Sequence, residues 1–224
     1  MDETPHTLKD FDSGLARLRD EVVAMANVAI QNLEESMSGL MEGNRDKCNE
    51  VIAEDEVVDD LEKSVDEIGM AVMVRFNPVA TDLRRVISSM NIAGRLERIA
   101  DHAVNVARHS RKILKTGPIE ETKMLEPLFG LAIGEVRDAV TAYVDGNAEL
   151  AVSVKKQDDE LDRLHKRLGK SLIQLIEERT DGAVGLVHLM FVARSLERVG
   201  DLAKNIGEEV VFIESAEDIR HLSL

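Results

Sequence analysis

Four pairs of acidic residues spaced four apart carry the chemistry that is legible in this chain: Asp55/Asp59, Glu97/Asp101, Asp158/Asp162 and Glu197/Asp201. On a helix each residue turns by about 100°, so positions four apart lie only about 40° from one another. Each pair therefore sets two carboxylates on one face. Like charges so placed repel by about 0.2 to 0.5 kcal/mol per pair, and pairs brought together raise one another's pKa values. Something positive is expected between them. Oxygen-only donors suit hard cations, Fe, Mn, Mg or Ca, whereas structural zinc prefers Cys and His. Asn105 and Asn205 continue two of the ridges by one turn, and Glu62 and Asp66 extend that of Asp55. In the second half His165 and Gly169 stand at those places, so His165 is a candidate further ligand and the two sites are not expected to be chemically identical. The plain alternative for any one pair is a solvated acidic face, because 43 of 224 residues are acidic. It is the shared register of the four that favours metal.

Long helices must position these residues. Stop and turn signals are sparse and evenly spread, at Gly43-Asn44, Asn77-Pro78, Gly117-Pro118, Gly146-Asn147 and Thr180-Asp181-Gly182. Between them apolar residues recur every three or four positions, as in Val58, Leu61, Val65, Ile68 and Val72. The pattern predicts six long helices with breaks near 43, 78, 117, 146 and 181, the first starting near Thr7 as N-cap, with Asp10 in the first turn. An internal repeat relates the halves. Gly43-Asn44 returns 103 positions on as Gly146-Asn147, and at that offset Asp55, Val58, Asp59 and Leu61 match Asp158, Leu161, Asp162 and Leu164. Past the next turn the offset is 100, where Leu96-Glu97-Arg98-Ile99-Ala100-Asp101 matches Leu196-Glu197-Arg198-Val199-Gly200-Asp201, Ala103 matches Ala203 and Asn105 matches Asn205. The expected fold is all-α: two tandem three-helix bundles, 1–116 and 118–224, the second with a C-terminal tail. A hairpin of the second and third helices levels the acids of each unit, since Asp59 and Glu97 are equally far from Pro78, as are Asp55 and Asp101.

Composition narrows the function classes. Five Phe, one Tyr, no Trp, 14 Gly and four Pro make an all-β chain very unexpected. The net charge of −15 repels phosphate backbones, which argues against nucleic acid as a partner. The longest stretches free of formal charge, 22–33 and 182–193, run 12 residues, short of the roughly 20 a spanning helix needs. Met1-Asp2-Glu3 does not resemble a signal peptide, and the single Cys48 permits no intrachain disulfide; both fit a cytoplasmic setting. Phosphate loops, dinucleotide fingerprints and Cys/His nucleophile arrangements are missing from the sequence. His188 reads as a core or interface histidine, His102 and His109 border the third-helix ridge, Arg84 and Arg85 read as inter-helix or surface pairs, the nine Met as bundle core, and Lys155-Lys156 as a solvated face.

At its acidic strings, Asp55-Glu56-Val57-Val58-Asp59, Glu97-Arg98-Ile99-Ala100-Asp101, Asp158-Asp159-Glu160-Leu161-Asp162 and Glu197-Arg198-Val199-Gly200-Asp201, the chain resembles the PhoU family of bacterial phosphate-signalling regulators. Asn105 and Asn205 one turn later, the stretches Pro78-Val79-Ala80-Thr81-Asp82-Leu83-Arg84 and Ala193-Arg194-Ser195-Leu196-Glu197-Arg198, and Arg220-His221 share the likeness, which covers about Thr7 to His221. The resemblance implies a cytoplasmic repressor of the phosphate-starvation response that links the phosphate ABC transporter to a membrane sensor histidine kinase and acts through partners at the membrane. It also implies acidic motifs that bind iron or other divalent metal in some members. Gly200 in place of Ala100 is the one departure, and it bears on packing. A homodimer is expected. The competing readings are a carboxylate-bridged metal enzyme, such as a di-iron oxidase, and a metal-free helical adaptor. The first of these is weakened because the one Glu-x-x-His, Glu3 to His6, spans Pro5.

Overall fold

The computed structural model describes residues 4–117, 119–178 and 181–219; Met1-Asp2-Glu3, Pro118, Thr180 and Arg220-His221 lie outside them. Among the described residues seven α-helices follow in order: α1 (Thr4–Glu42), α2 (Arg45–Ala53), α3 (Asp55–Phe76), α4 (Ala80–Thr116), α5 (Glu126–Asp145), α6 (Ala148–Glu178) and α7 (Ala183–Ser215), with a 3₁₀ turn (Glu120–Leu125) leading into α5. There is no strand among the described residues. The fold is the expected all-α one.

The predicted stops hold for local reasons. Gly43, Asn77, Gly146 and Gly182 take positive φ of 70°, 48°, 62° and 78°, the left-handed cap conformation that Gly and Asn tolerate. Asn44 then caps α2, its Oδ1 accepting from the amides of Asp46 (3.0 Å) and Lys47 (3.3 Å), and Asn147 does the same for α6 through Leu150 N (3.0 Å). Thr7 is not a cap, because α1 already runs from Thr4.

One expected helix is broken. The second helix of the first unit divides at Glu54 (φ −89°, ψ 6°) into α2 and α3, whereas its counterpart α6 runs through unbroken. At the matching place in α6, Gln157 Nε2 donates to Asp138 on α5 (2.9 Å). In the first unit those positions are Glu54 and Glu35, two carboxylates that cannot make this bond. The break also starts a new helix at Asp55, so Asp55 and Glu56 sit in a first turn, where the helix dipole favours negative charge.

α1, α3 and α4 pack together, as do α5, α6 and α7, and α4 lies antiparallel along α7. One apolar core runs through both units, built on α4 from Ile92, Leu96, Ile99 and Val106 and on α7 from Leu189, Leu196, Val199 and Ile206. Polar bonds fix the seam between α4 and α7. Arg95 pairs with Glu209 (2.9 Å), Arg84 donates to the Ile213 carbonyl, and the Nδ1 atoms of His109 and His188 stand 3.0 Å apart. Arg84 and His188 thus serve between helices, as their positions suggested. Two expectations are corrected. Met70 is half exposed while Met25 and Met37 are buried, because no described helix covers the outer face of α3. Lys155 is largely buried, donates to the Ile219 carbonyl (2.7 Å) and pairs with Glu208 (3.6 Å), because the segment after α7 folds back over α6.

Candidate functional site

In the first unit the carboxylates of α3 and α4 face one another. Glu97 is pushed up to about 7 by its burial, then by the charges of Asp101, Glu62 and Asp59, with Arg98 opposing. Asp55 is raised by burial and by Asp101 and Asp59, with Arg108 opposing, and Glu62 by burial and by Asp66 and Asp59, with Lys63 opposing. These interactions join Asp59 to Glu97 and Asp55 to Asp101, the levels set by the turn at Pro78. One turn nearer that turn, Glu62 Oε1 lies 3.4 Å from where a Cβ on Gly94 would stand. Among the described residues none of Asp55, Asp59, Glu62, Glu97 and Asp101 has a basic side chain within ion-pair distance; Lys63 turns to Asp60 instead (2.9 Å). Also among the described residues, no three His, Cys, Asp or Glu side chains close on one point as metal ligands do.

The second unit has the same backbone plan and a different electrostatic content. Lys204 Nζ lies 2.5 Å from Asp158 Oδ2 on α6 and 3.0 Å from Asp201 Oδ1 on α7, bridging the two helices at the expected level. Burial alone would lower the Lys204 ammonium, but the bonds to Asp158 and Asp201 outweigh it and hold the group well above the ordinary lysine range. Arg198 pairs with Glu197 (3.4 Å) and Asp201 (3.0 Å), and Lys166 with Asp162 (3.1 Å). Every one of the four acids here has a basic partner. His165 is half-buried one turn beyond Leu161 on α6, and Asn105 and Asn205 are half-buried on α4 and α7.

Glu135 joins the second site from outside the four acidic pairs. This α5 residue is fully buried, and neither of its carboxyl oxygens has a hydrogen-bond partner. Burial, and behind it the charge of Asp158, pushes it up to about 8, with Lys204 pulling the other way and Asp201 and Asp162 adding to the rise. Asp158 Oδ1, also unpartnered, is raised chiefly by burial against the pull of Lys204. Gly200 makes the room: a Cβ there would fall 2.9 Å from Glu135 Oε2. The signals were an acid inside the apolar stripe Ala132, Val136, Ala139, and a lysine where the repeat has Val104. At the repeat offset Glu135 corresponds to Asn32, itself buried with Nδ2 unpartnered.

Comparison with known proteins matches this architecture. The family model "PhoU domain" matches twice, over residues 22–110 and 125–210. A "Phosphate-specific transport system accessory protein PhoU homolog" of Xylella fastidiosa is 31% identical over 96% of this chain and 89% of its own length. One of Zymomonas mobilis is 33% identical over 94% and 89%. The crystal structure of PhoU from Pseudomonas aeruginosa superposes with a TM-score of 0.89 at 26% identity, covering 92% of this chain and all of that one. A regulatory PhoU structure from Streptococcus pneumoniae, at 22% identity and a TM-score of 0.87, shares the fold over 96% of this chain and all of its own. With the family's domain found in both halves, this chain belongs to the PhoU family.

Proposed function

We propose that this chain is a non-enzymatic regulator of phosphate uptake, a cytoplasmic homodimer that restrains phosphate-starvation signalling by linking the phosphate ABC transporter to a sensor histidine kinase. In this reading Asp55, Asp59, Glu97 and Asp101, with Glu62, hold divalent or iron cations, Fe, Mn, Mg or Ca. The observation that carries the metal reading is the set of five facing carboxylates with no basic partner among the described residues, one of them, Glu97, pushed up to about 7. A hard cation would neutralise them, draw α3 and α4 together and stiffen the hairpin offered to partners. Support for the adaptor role comes from relatives named as accessory proteins of the phosphate-specific transport system. No described helix is long and apolar enough to cross a membrane. Exposed Met70, Val74 and Ile87 on the first hairpin and Ile173, Val187 and Phe191 on the second supply apolar surface for protein partners.

The test is metal analysis of protein purified without chelator from phosphate-replete cells, together with a pull-down. Glu97→Ala with Asp101→Ala is expected to lower bound metal. Unchanged metal in that double variant sinks the placement, and recovery of neither transporter nor kinase sinks the adaptor role.

A further inference from the structure

The repeat equates four acids of one unit with four of the other, yet the space between them differs. In the first unit the position one turn after Asp101 is Val104, fully buried, and Asp55, Asp59, Glu97 and Asp101 have no basic partner among the described residues. In the second unit that position is Lys204, whose ammonium spans α6 and α7 between Asp158 and Asp201. Two further observations set the second place apart from the first. Glu135 is fully buried beside it with both oxygens unpartnered, and Asp158, only 6% exposed, keeps Oδ1 unpartnered. Gly200, where the first unit has Ala100, lets Glu135 approach.

We propose that Lys204 is the resident cation of the second unit, holding the place between Asp158 and Asp201 that a metal ion would take, so that this chain binds divalent metal at the first unit and not at the second. The physical ground is Coulombic: a fixed positive charge in contact with two of the would-be ligands repels an incoming divalent ion and occupies the lone pairs it needs. A tethered ammonium also cannot be lost to chelators, so the second hairpin stays cross-linked whatever the metal supply, while the first responds to it. The inference rests on the metal reading of the first unit, and it adds which residue withholds metal from the other.

The experiment adds Mn²⁺ to wild-type protein, to E97A/D101A, and to each of these carrying K204V or K204Q, with bound Mn²⁺ counted after dialysis and its place read from paramagnetic broadening of backbone amide signals. Wild type is expected to broaden most strongly at the amides beside Asp55, Asp59 and Glu97 on α3 and α4, with those beside Asp158 and Asp162 on α6 the least affected. Both Lys204 variants are expected to broaden around α6 and α7 and to bind Mn²⁺ there at least about tenfold more tightly than wild type. Adding E135Q is expected to weaken that gained binding. Broadening in wild type as strong beside Asp158 and Asp162 on α6 as beside Asp59 and Glu97, or no gain in the Lys204 variants that remain folded, overturns the proposal. K204Q keeps the length and a donor should K204V not fold, and the wild-type broadening needs no variant. Loss of binding in E97A/D101A judges the first-unit reading separately, since the gain from Lys204 substitution is read with or without that site.

Discussion

The backbone of Gly200 lies so close to the Glu135 carboxylate that a Cβ would fall 2.9 Å from Oε2, and Leu161 Cδ2 at 3.0 Å closes the other side. Gly200→Ala therefore has no free space to enter, and overpacking of this kind costs about 1 to 3 kcal/mol. Thermal melts should show a fall of several degrees, at about 2 to 4 °C per kcal/mol for a chain this size. The first unit carries the pair Ala100 and Asn32 at these places, so Glu135→Asn in the Gly200→Ala background should recover part of the loss. Simple additivity of the two changes in a double-mutant cycle would count against direct contact.

Glu135 also makes stability depend on pH. Its pKa is raised from 4.5 to about 8 in the folded chain, so the stability its neutral form contributes is complete below about pH 4.5 and is lost as pH rises through about 8. Glu135→Gln stays neutral throughout. In chelator-treated protein the melting temperature of wild type should fall between pH 5 and pH 9 relative to Glu135→Gln. Parallel curves over that window would refute a buried protonated Glu135.

The seam histidines predict the opposite dependence. Burial, then Lys112 and His188, pull His109 down from 6.5 to about 4, while its ring stacks on Phe191 at 4.8 Å. Its neutral form is favoured, so the related stability is complete above about pH 6.5 and is lost as pH falls through about 4. His109→Gln should flatten the acid side of a stability profile between those values, and NMR titration of the ring should find it uncharged at pH 6.

Arg95 and Glu209 join α4 to α7 across the seam, with Glu209 only 10% exposed. Arg95→Met leaves that carboxylate nearly dry and without its partner, a loss of about 1 to 3 kcal/mol. Asn91, whose Nδ2 lies 3.4 Å from both Glu209 oxygens, softens the loss. Urea unfolding should show it, and Arg95→Met with Glu209→Met should recover most of it, since a matched apolar pair leaves no orphaned charge.

Much of this molecule is legible locally. Helix stops at Gly43, Asn77 and Gly146 and the start of α7 after Gly182 follow from which residues tolerate positive φ, and the apolar spacing of α3 places Val58, Val65, Ile68 and Val72 inside. The repeat register even sets Asp59 opposite Glu97, because two helices leaving one turn rise at equal rates. The break at Glu54 was not legible, because the neighbours across the groove are set by packing: Gln157 bonds to Asp138, whereas in the first unit Glu35, at the place of Asp138, pairs with Lys47 instead.

Periodicity, capping and repeat spacing are properties of the chain alone, and they already imply an all-α protein built twice from one unit with eight acids in register. What those charges mean came from the packing. Whether a carboxylate is solvated, paired or stranded depends on burial and on what the adjacent helix brings within 3 to 4 Å. So Asp55, Asp59, Glu97 and Asp101 face one another with no basic side chain at ion-pair distance among the described residues, while their counterparts meet Lys204, Lys166 and Arg198. Glu135, one acid among 43 in the sequence, becomes in the fold a buried group with no partner for either oxygen.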